Sequence, residues 1–419
     1  MKHQPSLRLP LLLLGIAALL QAADSPHIFS EIGTIQAGLS SITGLRFTHN
    51  VPYGILTKDQ LRAFLEERIK KTLRPADLRA EELTLKMLGL IPPDFDLRQN
   101  TVDLLTEQAA AFYDYNKKKL FVLAGSTGEE SAGGVEERTA LVHELAHALA
   151  DQHFHLARYI REGARSDDGS TARLAVMEGQ ATWLMAAYMS KQNGGPAEVP
   201  GRMLDAMTES IQSSAREYPV FSKAPLYIRE SLVFPYSGGM LFQNAVFQRL
   251  GRASFSEVFV HPPTSTQQIL HPDLYLASHA PSIPSVPRVP DSRAFRKLAD
   301  GNLGEFDYRV LLSQNGADEE GKKAAAHVAG SSYALLEHKR GKFPVLVVAS
   351  TWDSEESARN YFELYRQVLR GKWKTFEVET DTASELTGKG DSGHFRIWVE
   401  GATVNQIEGW KSPLHSPVH

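Results

Sequence analysis

The stretch Thr139-Ala140-Leu141-Val142-His143-Glu144-Leu145-Ala146-His147-Ala148-Leu149-Ala150-Asp151 constrains this chain more than any other. Ala, Leu and Val dominate it, and Glu144 is the one formal charge before Asp151. Such a run reads as a buried helix. On a helix, His143 and His147 stand four residues apart and project from one face. At that spacing two neutral imidazoles can grip one zinc ion, with Glu144 placed to act on a metal-bound water. Burying two His and one Glu without partners is costly, and a metal supplies the partner.

Two positions compete for a third ligand. His153 serves only if the chain turns sharply at residue 150, which calls for glycine. Ala150 stands there, and a helix that runs on carries His153 about 80° away from His143. The other candidate is Glu178, in Ala172-Arg173-Leu174-Ala175-Val176-Met177-Glu178-Gly179-Gln180-Ala181-Thr182-Trp183. This segment reads as a second helix, with Leu174, Ala175, Ala181 and Met185 on the face of Glu178. A carboxylate in an apolar stripe needs a partner. That partner is either a buried arginine, Arg173 or Arg138, or a zinc ion shared with an antiparallel first helix.

With these residues in place, the chain resembles the gluzincin group of zinc metallopeptidases, the thermolysin-like and peptidase-MA-like proteins. The likeness rests on His143-Glu144-Leu145-Ala146-His147 followed by the helical Glu178-Gly179-Gln180-Ala181. More narrowly, Phe234-Pro235-Tyr236 and Pro263-Thr264-Ser265-Thr266-Gln267-Gln268-Ile269-Leu270-His271-Pro272 are similar to segments of secreted bacterial members of that group. The likeness covers residues 80 to 276 and fades beyond 300. It implies an α+β fold, a mostly helical zincin-type domain with a small β-sheet or hairpin. It also implies one Zn2+ per chain on His143, His147 and Glu178, with Glu144 as general base. Tyr236 and His271 become candidates to stabilise the oxyanion, because both lie in the downstream motifs. Against those roles, Tyr236 could simply fill a core and His271 could satisfy a Pro-rich turn. Three protein ligands leave one position for water, the catalytic arrangement of zinc.

Composition narrows the rest. The 419 residues are 42% hydrophobic and 22% charged, which suits a globular chain. A net charge of −4 gives no support to nucleic-acid binding. There are no cysteines, so thiolate ligands and disulfides are excluded and His, Glu and Asp remain as metal ligands. Residues 1–22 read as a secretory signal peptide: Lys2 and Arg8, then an apolar run from Leu9 to Leu20, then Ala22 and Ala23 at the cleavage position. The run is too short to span a bilayer comfortably. A secreted or periplasmic protein without stable membrane insertion after signal cleavage is expected.

The remaining chain divides into a metallopeptidase domain at 23–280, a Pro-rich linker at 281–300 and an auxiliary α+β domain at 301–419. Residues 24–56 carry no sharp signal. Thr57-Lys58-Asp59-Gln60 is a capping box, and Pro75 opens a helix that ends near Gly89. Ala110–Tyr113 and Leu120–Leu123 flank Asp114-Tyr115-Asn116-Lys117 as a β-hairpin. In gluzincins the strand before the zinc helix lies along the cleft and pairs with extended substrate, so the hairpin is either such a strand or only a sheet edge. Gly125 to Gly134 reads as a mobile loop. Residues 160–171 read as a polar loop, with Ser170 or Thr171 capping the second helix. Asp151 is either a group supporting the ligands or a solvated acid. Gly238-Gly239 marks a helix start. Pro281, Pro284, Pro287 and Pro290 stiffen the linker, and beyond it strands and one amphipathic helix at Ser354–Arg370 predict a separable module.

The expected function is a secreted or periplasmic zinc peptidase acting on a peptide or protein substrate. The alternative is a gluzincin-fold protein that binds in the cell envelope with little or no proteolysis.

Overall fold

The computed structural model describes residues 16–18, 26–124 and 135–414. The signal-peptide reading of 1–22 lies outside them save for Ile16–Ala18, and so does the loop expected at Gly125 to Gly134. The fold is α+β. A helical region with a four-stranded sheet is followed by a seven-stranded antiparallel sheet with helices on one face.

Local signals account for the early elements. Thr57 Oγ1 accepts the Gln60 N–H at 3.2 Å, and the Gln60 side chain accepts the Thr57 N–H at 2.9 Å. This reciprocal cap starts the helix Lys58–Thr72. Pro75 opens the next helix, Pro75–Leu88, and Gly89 closes it at φ 80°. The featureless reading of 24–56 is corrected. Ile32–Thr43 is a helix with Ile35, Leu39 and Ile42 inward. Tyr53–Leu56 is a strand lying parallel to Lys119–Leu123.

The hairpin forms as its sequence predicts. Ala109–Asp114 and Lys119–Leu123 pair antiparallel. Asp114 Oδ1 accepts the N–H groups of Asn116 and Lys117 at 2.9 and 3.2 Å, the local bonding that makes Asp a turn former. The far edge of Ala109–Asp114 is taken by Ile16–Ala18.

Three long helices carry the centre. The motif helix is Val135–Phe154, the carboxylate helix Asp167–Gln192 and the crossing helix Leu226–Leu250. The polar loop expected at 160–171 is instead a helix, Leu156–Gly163, and the carboxylate helix starts early. Ser166 is its cap, accepting the Gly169 N–H at 3.0 Å. Ser170 and Thr171 do not cap it. Their hydroxyls donate to the carbonyls of Gly163 and Asp167.

The strands of the C-terminal sheet lie in the order Phe295–Gly301, Val328–His338, Pro344–Trp352, Thr403–Trp410, Gly393–Glu400, Glu385–Gly390, Phe376–Asp381. The helix Glu355–Lys372 lies on its inner face through Tyr361, Tyr365 and Val368. Two further helices, Glu305–Ser313 and Asp318–Ala325, intervene between this layer and the crossing helix.

Packing crosses the boundary expected at 281–300. One continuous apolar core runs from Leu141 and Trp183 through Phe306 and Tyr308 to Trp352 and Phe395. Val286 and Val289 of the Pro-rich stretch cover the outer face of the sheet against Phe295, Val345 and Val347. Strand Phe295–Gly301 already begins inside the presumed linker.

The start of the carboxylate helix is held by the C-terminal part. Asn302 Oδ1 accepts the Ser166 hydroxyl at 3.0 Å and the Asp167 N–H at 2.9 Å. Tyr333 donates its hydroxyl to Asp167 Oδ2 at 2.6 Å. A β-carbon on Gly304 would lie 1.8 Å from Asp168 Oδ1, so any larger residue there would displace that carboxylate. A chain ending near residue 300 therefore exposes half a core and strips Asp167 of a buried partner. It is expected to lose its cooperative melt and any capacity to take up zinc, checked by circular dichroism and elemental analysis. A folded, zinc-loaded truncated chain would show that the helical region stands alone.

Candidate metal centre

The motif helix runs unbroken past Ala150, as its Ala and Leu content favours. It holds His143 and His147 with their Nε2 atoms 3.0 Å apart. The carboxylate helix brings Glu178 Oε2 to 3.1 Å from His143 Nε2 and 3.2 Å from His147 Nε2. Three ligand-type atoms thus form a nearly equilateral triangle. The edge of a tetrahedron with zinc-ligand arms of 2.0–2.1 Å is about 3.3 Å, so the triangle fits one zinc. Glu144 joins the group: one ligand atom from each of His143, Glu144 and His147 lies within 4.8 Å of the others. None of these four side chains is more than 4% exposed.

The electrostatics fit a cation. Glu178 Oε1 is buried with no hydrogen-bond partner among the described residues, a costly state for a carboxylate oxygen unless a positive charge faces it. Burial alone would raise Glu178, yet the His147 and His143 imidazoles outweigh it and hold the carboxyl down to about 2. It is therefore a carboxylate, as a ligand must be. Burial pulls His143 below its ordinary value, more than the Glu178 contact lifts it. Burial pulls His147 down too, but Glu178, Glu144 and Asp151 together lift it above its ordinary value.

The arginine partners considered for Glu178 are engaged elsewhere. Arg138 holds Glu31 at 2.5 Å. Arg173 donates to the Tyr159 carbonyl at 2.9 Å and lies over the Tyr159 ring. His153 faces away, its Nε2 2.9 Å from the Arg46 carbonyl oxygen.

Asp151 is neither solvated nor hydrogen-bonded to an imidazole. It is fully buried and accepts Tyr113 Oη at 2.9 Å, Lys118 Nζ at 2.6 Å and the Leu156 N–H at 2.8 Å. It ties the end of the motif helix to the hairpin and to the next helix. Its charge still reaches His147. The roles of Tyr113 and Lys118 escaped sequence reading, because nothing local links residue 151 to the hairpin.

Tyr236 comes to the centre. Its ring stacks on His143, with centroids 5.8 Å apart and planes 25° apart. The cause is a close helix crossing. A β-carbon on Gly179 would lie 2.0 Å from the carbonyl carbon of Gly239, and one on Gly239 would lie 2.0 Å from the Ala175 oxygen. The two backbones therefore touch one residue after Glu178 and three after Tyr236. Gly238-Gly239 is the middle of a helix, not its start. Pro235 removes one backbone donor there, and the burial of Phe234 and Tyr236 on either side offsets the loss. Beside the crossing, Gln180 Nε2 donates to Gln243 Oε1 at 3.3 Å and to the Phe255 carbonyl at 3.2 Å. Small residues in both helices were the available signal for this contact.

His271 does not come to the centre. Its Nε2 lies 3.0 Å from the buried Glu305 carboxylate. Its neighbour Thr266 is anchored on Asp168 at 2.6 Å. Asp168 precedes Glu178 by ten residues on one helix, roughly 15 Å along the axis. His271 thus joins the helical region to the helix Glu305–Ser313 of the C-terminal part.

Glu178→Ala should cost far more metal affinity than the roughly 10–100-fold typical of residues behind a ligand. Elemental analysis after dialysis checks this, and full occupancy would remove Glu178 from the set. His153→Ala should keep its zinc.

Residues 293–415 match the family described as a domain of unknown function, DUF8575. That span contains the whole seven-stranded sheet and stops short of the metal centre. No curated protein and no solved structure matches.

Proposed function

We propose that this chain is a zinc-dependent peptidase, one Zn2+ per chain, that hydrolyses peptide bonds outside the cytoplasm. One observation carries the reading: His143, His147 and Glu178 converge in a buried triangle of zinc-ligand size with Glu144 beside it. Zinc, when bound, supplies Lewis acidity and lowers the pKa of its water to about 7.

The residues divide the work. With zinc bound, His143 and His147 would each present an unprotonated Nε2, and His147, lifted above its ordinary value without metal, would release its proton to do so. Glu144 accepts the proton of the attacking water and returns it to the leaving amine. The ring of Tyr236 stacks on that of His143, and its hydroxyl is the donor we assign to the reaction. That hydroxyl hydrogen-bonds the substrate carbonyl oxygen as it becomes anionic. His271 has no part in this scheme. Removal of residues 1–22 as a leader would also take away Ile16–Ala18 and free the edge of Ala109–Asp114 for an extended substrate. No described helix is long and apolar enough to cross a membrane.

A second reading, envelope binding with little or no proteolysis, draws on the near-complete burial of the centre. Digestion of a broad peptide library by the zinc-loaded protein separates the two. Cleavage that stops with a chelator and returns with zinc supports the peptidase. A fully loaded protein that cuts nothing favours binding.

A further inference from the structure

A second cavity lies apart from the metal centre, on the opposite side of the crossing helix. It encloses about 530 Å³ between that helix, the helix Gly201–Arg216 and the two helices Glu305–Ser313 and Asp318–Ala325. Its volume is in the range of small-molecule sites. Arg229, Val233, Ser237 and Leu241 form one row along its wall, each four residues from the next. The row spans roughly 18 Å. Facing it are Phe306 and Val310 from the C-terminal part. The site is thus elongated and mixed in character: apolar side chains line it together with the cations Arg229, Arg309 and Lys322 and the carboxylates Glu230 and Asp318.

The polar groups are unequal. Arg309 is paired with Glu305, and Lys322 with Asp318 at 3.0 Å. Arg229 differs. Its Nε is buried and has no hydrogen-bond partner among the described residues. Arg229 as a whole is half-buried and lines the cavity, so an anion there would meet the remainder of a guanidinium whose inner N–H is already unpaired. The other end of the row is Leu241, an apolar side chain left 43% exposed. A donor at one end and an open apolar surface at the other define the shape of a ligand.

We infer that this cavity binds an elongated apolar molecule ending in a carboxylate, which pairs with Arg229. A fatty acid and a short peptide with apolar C-terminal residues share that chemistry. The ligand bridges the crossing helix and the C-terminal part, so binding stabilises their junction. The site is independent of the proposed peptidase chemistry, since no residue of the metal centre lines it.

The test is thermal unfolding and calorimetry on the full chain with four probes: decanoate, decanol, N-acetyl-Leu-Phe and its C-terminal amide. One or both carboxylates should raise the melting temperature dose-dependently and bind at least 10-fold tighter than the neutral analogue. Whichever carboxylate wins identifies the source. Arg229→Gln should abolish the preference, while Arg229→Lys should keep part of it. Val233→Phe, which fills the cavity, should block both classes of probe. Equal binding of carboxylate and neutral analogue would overturn the pairing with Arg229. Absence of binding by all four would overturn the site. The melting temperature of each variant without probe reports whether it folds.

Discussion

Glu144→Gln should leave zinc content and melting temperature nearly unchanged and lower peptide hydrolysis by roughly 10²–10⁴-fold, the usual worth of a positioned general base. Glutamine keeps the size of a side chain that is completely buried, so packing is retained. It cannot accept a proton, so the step that activates water fails. That loss amounts to about 3–5 kcal/mol of transition-state stabilisation. It should appear in kcat with little change in KM, because the missing interaction belongs to the transition state. The metal should stay, because the triangle of His143, His147 and Glu178 does not include Glu144. Steady-state kinetics and elemental analysis on the same preparation decide it. Loss of the zinc would make Glu144 a ligand. An unchanged kcat would move the base elsewhere.

Gly239→Ala should destabilise the protein by about 3 kcal/mol, the upper part of the overpacking range. Helix propensity alone would favour alanine by about 1 kcal/mol. Sterics win because the obstacles are the Ala175 carbonyl and the Gly179 Cα, which cannot rotate away as a side chain can. The crossing helix must shift, and Tyr236, three residues earlier, shifts with it from His143. Hydrolysis should therefore fall more than stability alone explains. Gly33→Ala is the control. Gly33 is also helical, but a β-carbon there meets nothing within 4 Å, so alanine should be neutral or slightly stabilising. Denaturant melts of both variants give the comparison. A Gly239→Ala protein as stable as the parent would mean that the two helices do not touch.

Much of the centre was legible in the sequence because its signals are local. His143 and His147 share a helix, and four-residue spacing by itself puts two side chains on one face. Ala150 in place of glycine was enough to direct His153 away, and it does face Arg46. Glu178 was legible because a carboxylate in an apolar stripe needs a partner. The caps at Thr57 and Gly89 and the turn at Asp114 are likewise settled within a few residues. Residues 32–43 show the converse, since the spacing of Ile35, Leu39 and Ile42 was present and went unread.

What stayed hidden depends on groups far apart in the chain. Gly238-Gly239 carries the composition of a helix end, and only the approach of Gly179 explains its place mid-helix. Tyr236 and His271 sat in equivalent-looking motifs. Packing sent one to His143 and the other to Glu305. The Pro-rich stretch has the composition of a linker, but Val286 and Val289 bury against a sheet whose strands come from residues 295–410. Backbone propensity and helical periodicity act over a few residues, so sequence alone determined the motif helix, the facing His143–His147 pair, the hairpin and the early caps. Backbone contact, shared core and the pairing of buried charges act across hundreds of residues, and those only the tertiary structure decided.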